Sequence, residues 1–103
     1  EEDIVAVNNI FNLLRDDGIF LFSVPVFPWG NKVSYIPEYT NLEDKIKKMG
    51  HDDHVLCCGQ DYGDRFAEIK FKEKTKINVN SFKQKDIDKY HLDINHYAWL
   101  FIK

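Results

Sequence analysis

Between residues 3 and 15, apolar side chains stand at Ile4, Val5, Val7, Ile10, Phe11, Leu13 and Leu14. The steps of three and four place them on one face of a helix. The period then changes. Gly18 can supply the left-handed conformation that closes a helix at low cost. Residues 19–24 form a near-continuous apolar run, ended by Pro25 and Pro28, which cannot donate to a sheet ladder. Such a run predicts a strand buried on both faces, inside an α/β sheet between covering helices. Ligands of such sheets bind in the crevice just past the strand's carboxyl end.

Residues 26–41 are rich in aromatics and turn formers, and a connection of that length is usually functional or mobile. Thr40 or Asn41 can cap a short helix over Leu42–Met49, and Gly50 ends it. Residues 51–59 read as irregular. Asp61 can cap a second helix over about 62–70, with Phe66, Ala67 and Ile69 facing inward. Residues 71–79 alternate, with Phe71, Glu73, Thr75, Ile77 and Val79 on one side and lysines and Asn78 on the other, which predicts a half-exposed strand. A short charged helix at about 84–90 and an apolar strand over 97–102 complete the chain. The strand–crossover–strand unit from Ile19 to Val79 is expected to be parallel and right-handed. The last strand can then return antiparallel to its predecessor.

Composition narrows the class. At 103 residues the chain is one small domain or part of a larger one. A hydrophobic fraction of 44% excludes a disordered chain. The net charge is −3 with both signs interspersed, and without a basic stripe nucleic acid is not an expected partner. The longest apolar run falls far short of the roughly 20 residues of a membrane span, and no signal peptide is legible at Glu1-Glu2-Asp3. Adjacent Cys57 and Cys58 cannot readily form an unstrained disulfide and lack zinc-site spacing. They read as reduced thiols of a cytoplasmic protein. The only methionine is Met49, so the sequence has no start residue and is expected to be trimmed, excised or recorded in part.

Three pieces of the chain carry a resemblance. Leu13-Leu14-Arg15-Asp16-Asp17-Gly18 leading into residues 19–25 is one; Glu43-Asp44-Lys45, Met49-Gly50-His51-Asp52-Asp53-His54-Val55, Gly59-Gln60-Asp61-Tyr62 and Arg65-Phe66 form the second; the terminal strand ending in Lys103 is the third. In this order they resemble the C-terminal half of class I S-adenosylmethionine-dependent methyltransferases, in particular the small-molecule, type 11-like branch. The departures are Asp16-Asp17 in the turn, Leu56 where the family tends to have arginine, and Lys70-Phe71 in place of an alanine-glycine-phenylalanine segment.

The resemblance implies an α/β fold: a partial Rossmann-like methyltransferase sheet of about three strands, two parallel and the last antiparallel, with covering helices. It further implies that the final strand inserts between the two before it. The expected organisation is a single partial domain over residues 1–103, the rear half of the fold, with the cofactor-binding half absent. The family holds S-adenosylmethionine with a glycine-rich turn and an acidic residue, whereas Gly18, Gly30, Gly50, Gly59 and Gly63 are scattered here. No cofactor is therefore expected to bind this chain alone.

The resemblance places Trp29, Tyr35, Tyr39, Asp53 and His54 in the region that covers the methyl acceptor, a small molecule. Asp53 and His54 are the candidate catalytic residues, because imidazole is the side-chain type that exchanges a proton near neutral pH. Trp29, Tyr35 and Tyr39 are the candidate substrate-binding residues, with packing as their simpler role. His51-Asp52-Asp53-His54 also offers groups that suit a metal such as Zn²⁺, but Gly50 and the paired aspartates fit a solvated turn, and no metal is expected. A strand over 19–24 left with an open apolar edge invites pairing, so a homodimer or a complementing chain is expected there. The alternative reading is a non-catalytic interaction or regulatory module derived from the same fold.

Overall fold

A computed structural model of the chain describes residues 2–103. Its elements are α1 (Glu2–Leu13), β1 (Ile19–Ser23), α2 (Leu42–Met49), β2 (Glu73–Asn78), α3 (Gln84–Tyr90) and β3 (Tyr97–Ile102), with 3-10 turns at Tyr62–Phe66 and Val79–Ser81. The helical period of the first residues becomes α1, whose Val7 is buried and whose Phe11 meets Phe71 edge-on at 4.9 Å. Past the helix, the left-handed residue is Asp17 (φ 62°) and not Gly18 as the sequence suggested. Aspartate tolerates that conformation better than most side chains. Gly18 is needed for a different reason, since a Cβ there would lie 2.7 Å from the Arg15 carbonyl oxygen. The Asp17 N–H donates to the Lys103 carbonyl and the Lys103 N–H to the Gly18 carbonyl, each at 3.0 Å, so this turn is tied to the end of β3. Lys103 Nζ also donates to the Leu14 carbonyl at 2.9 Å, satisfying a free acceptor at the end of α1.

The short helix α2 forms where its caps predict it. Asn41 Oδ1 accepts from the Asp44 N–H at 2.9 Å, and Gly50 (φ 85°) donates its N–H back to Ile46. Glycine suits that positive φ because it has no Cβ to clash.

The sheet corrects the expected fold. Its order is β1-β3-β2, and every ladder is antiparallel. Among the described residues no pair of hydrogen-bonded strands is parallel, because β3 takes the place between β1 and β2 that a parallel pairing would need. The physical reason lies in β3 itself. Tyr97, Trp99 and Phe101 are buried on one face, while Ala98, Leu100 and Ile102 are only partly exposed on the other. The strand that is apolar on both faces takes the centre, where neighbours cover both its edges. The lysine-bearing β2 and β1 take the flanks. The insertion of the last strand between the two before it agrees with the implied order.

β1 differs from expectation too. Phe20 and Phe22 face the core, but Ile19 and Leu21 on the opposite face are 59% and 61% exposed, so the strand is half-buried. Phe22 packs against Phe101 (5.1 Å, edge-on), Trp99 (5.6 Å, stacked) and Phe66 (5.9 Å, edge-on). These rings supply the bulk of the core, and truncating one of them to alanine costs about 3–5 kcal/mol. The second predicted helix, 62–70, is only the 3-10 turn Tyr62–Phe66 followed by another turn. Lys74 Nζ ends it by donating to the Phe66 and Ala67 carbonyls at 2.8 and 3.2 Å. Among the described residues no helix is long and apolar enough to cross a membrane.

Candidate functional site

The chain leaves β1 through Val24 and Pro25, and the long loop then folds back on residues 56–61. Phe27 N–H donates to the Cys58 carbonyl at 3.2 Å. Tyr35 and Cys57 exchange two backbone hydrogen bonds, at 3.0 and 2.9 Å. Asp61 Oδ1 accepts from both the backbone N–H and the hydroxyl of Ser34 at 2.7 Å, and the Ser34 hydroxyl accepts from the Gly59 N–H at 2.9 Å. These side-chain bonds let an aromatic-rich loop keep one shape without a helix or sheet of its own.

Between this folded loop and α1 lies a cleft of about 650 Å³, at the carboxyl end of β1. Its apolar surface comes from Val24, Pro25, Phe27, Ile36, Met49, Val55 and Leu56. A mostly apolar concavity with few polar groups is the usual form of a small-molecule site.

One wall is a polar triad. The Arg65 guanidinium donates to Asp3 from Nε at 2.7 Å and from Nη2 at 3.1 Å, and the Tyr62 hydroxyl donates to the same carboxylate at 3.1 Å. The hydrogen bond from Arg65 holds the Asp3 carboxyl well below the usual carboxylate range. Burial, reinforced by the Asp3 charge, pushes the Tyr62 phenol up to about 12. Cys58 also lines the cleft, and burial raises its thiol as it does that of Cys57. A thiol shifted that way holds little thiolate at neutral pH and is a poor nucleophile.

Glu2, Asp53 and His54, all exposed, also line the cleft. His54 Nδ1 lies 2.7 Å from the Met49 carbonyl oxygen at the end of α2. A carbonyl can only accept, so Nδ1 carries the proton. Asp53 is exposed, and its N–H lies 3.2 Å from His51 Nδ1. That nitrogen also lies 2.7 Å from Asp52 Oδ1. One ligand-type atom from each of His51, Asp52 and Asp53 lies within 4.8 Å of the others, but all three residues are exposed.

The structure thus brings Asp53 and His54 to one cleft and leaves the three aromatics elsewhere. Trp29 is 58% exposed and packs edge-on against Phe27. Tyr35 serves the bridge to Cys57, and Tyr39 lies beneath Lys45 Nζ, 5.5 Å from the ring centre. None of the three lines the cleft. Sequence reasoning missed Asp3, Tyr62 and Arg65 as a unit. The nearest signal was the spacing of Tyr62 and Arg65, three apart, which places both on one side of a helical turn.

Two of the glycines are packed closely against the chain itself. A Cβ at Gly59 would meet the Val33 and Ser34 backbone at 2.6–2.7 Å, and one at Gly63 would meet the Trp99 ring at 2.5 Å. The close approaches that these residues allow are already filled by the chain itself. Compared with known proteins, the chain matches no protein family, no curated protein and no solved structure.

Proposed function

We propose that this chain supplies the acceptor-substrate side of an S-adenosylmethionine-dependent methyltransferase acting on a small molecule. The observation that carries the reading is the position of the cleft. It opens at the carboxyl end of β1 and is lined by His54 and Asp53, two of the five residues expected around the acceptor. The quoted motif segments and the place of β3 between β1 and β2 support the same reading. Asp53 and His54 would contact the acceptor, and the walls would position it, which is how much of the catalysis of a displacement is achieved.

The residues present do not fit the methyl donor. No glycine is left open beside a helix start, and Gly30, the one with nothing within 4 Å, sits in a turn at positive φ. S-adenosylmethionine is accordingly bound by another segment and not by this chain alone. The two free thiols suit a reducing compartment, the cytoplasm.

A second reading, a non-catalytic interaction module, draws on β1. Its outer edge has no strand partner among the described residues, and Ile19 and Leu21 stand exposed beside it. Both readings share an association of this chain with a second copy through the edge of residues 19–24.

Calorimetric titration of S-adenosylhomocysteine separates the two readings. The 103-residue chain gives no saturable heat, and the same chain joined to the segment proposed to hold the donor binds saturably. Saturable binding by the chain alone, or none by either protein, overturns the methyltransferase reading.

A further inference from the structure

From the wiring of His54 we infer that the cleft takes a largely apolar, non-anionic small molecule that donates one hydrogen bond, from a hydroxyl or amine, to His54 Nε2. In calling that molecule the methyl acceptor the inference rests on the proposed function; the hydrogen bond itself does not.

The direction of the bond is set by α2. The last carbonyls of a helix have no partner within it, and that of Met49, whose side chain is almost fully buried, finds one in the Nδ1–H of His54 at 2.7 Å. Swapping the proton to Nε2 would put a lone pair against that carbonyl oxygen. Neutral His54 is therefore held as the Nδ1–H tautomer, and Nε2 is left as an acceptor. Among the described residues Nε2 has no hydrogen-bond partner. The last turn of α2 thus selects what the ring can recognise, and it selects a donor.

The rest of the cleft sets the remaining chemistry. Val24, Pro25, Phe27 and Ile36 give the ligand's body an apolar surface. The charges of Asp3 and Arg65 are spent on each other, with the Tyr62 hydroxyl donating to the same carboxylate. An anionic ligand would lose water there without gaining an unpaired positive charge, and the exposed carboxylates of Glu2 and Asp53 in the same cleft would repel it. An apolar body with a single donor fits both walls.

Two measurements on the 103-residue chain test this. Long-range proton–nitrogen NMR correlations of the His54 ring should show the Nδ1–H tautomer in the neutral state. Titration with phenol should then move the Nε2 resonance together with the amides of Val55 and Leu56, and titration with toluene should move those amides without moving Nε2. In His54→Phe, the preference for phenol over toluene should fall about threefold to tenfold, the worth of one hydrogen bond. His54→Gln, which keeps an acceptor, should restore part of it. The Nε2–H tautomer in the free chain, or a phenol preference unchanged by His54→Phe, overturns the inference. The calorimetric test above leaves these outcomes untouched, so the two proposals fail separately.

Discussion

Arg65 grips Asp3 with two hydrogen bonds across 62 residues of sequence, tying the first turn of α1 to the 3-10 turn behind the cleft. Both side chains are largely shielded from water, at 30% and 25% exposure, so screening weakens this pair less than one on the open surface. The Tyr62 hydroxyl adds a third hydrogen bond to the same carboxylate, and the pair seals one wall of the cleft.

This pairing predicts an acid-sensitive contribution to stability. The ordinary Asp3 value of 3.8 falls on folding, so the folded chain holds this proton less tightly than the unfolded one. The stabilisation is fully present above about pH 4 and is lost as pH falls through the depressed folded value. Asp3→Asn should cost about 1–3 kcal/mol at neutral pH. The gap from wild type should close towards pH 2, as read from urea melts across the acid range. A gap independent of pH would show that the loss is one of shape and not of charge.

Gly63 lies against the Trp99 ring, and no side chain fits between them. A Cβ would sit 2.5 Å from Cδ1 and 2.6 Å from Nε1 of an indole that is itself 3% exposed. Gly63→Ala should therefore destabilise by about 1–3 kcal/mol through overpacking. Tryptophan fluorescence followed in denaturant measures it. A variant as stable as wild type would mean that the turn at residues 62–66 shifts freely, and the wall of the cleft with it.

Burial raises both thiols, and the backbone of Cys57 is locked into the bridge with Tyr35. Alkylation by iodoacetamide at neutral pH should be slow in the native chain and should approach the rate of a free thiol in denaturant. Rapid labelling of Cys58 in the native state would instead mark it as a reactive group of the cleft.

At the other end of the sheet, alternation along the antiparallel ladder turns the backbone groups of Ile19, Leu21 and Ser23 away from β3. An open edge with exposed apolar side chains is a template for pairing. The wild-type chain should run as a dimer or larger species in size-exclusion chromatography with light scattering, and Leu21→Lys should shift it to monomer. A monodisperse wild-type monomer would remove the association through this edge.

What the sequence disclosed divides by range. The caps at Asn41 and Gly50 were legible because each acts on the turn beside it. The apolar run at 97–102 was legible for the same reason, since its residues alone make it a strand. The pairing was not legible. Residues 19–24 looked like an interior strand because they are apolar, yet β3 is apolar on both faces and takes the centre, leaving Ile19 and Leu21 exposed. The left-handed residue moved from Gly18 to Asp17 because the turn is set by Lys103, at the far end of the chain. In the cleft, His54 and Asp53 were candidates through the resemblance of residues 49–55, whereas the pairing of Asp3 with Arg65 has no local signal. Trp29, Tyr35 and Tyr39 shared a loop with the site in sequence, but the Ser34–Asp61 and Tyr35–Cys57 contacts fold that loop so that they point elsewhere.

The most direct measurement of the central claim is methyl transfer itself. The chain joined to the segment proposed to hold the donor, given methyl-labelled S-adenosylmethionine and a panel of phenols and amines, should label a small molecule. His54→Phe should lower kcat/KM for that acceptor by about tenfold to a hundredfold while leaving S-adenosylhomocysteine affinity unchanged. Transfer undiminished in His54→Phe, or no labelled product from any acceptor by a protein that binds S-adenosylhomocysteine, would contradict the account.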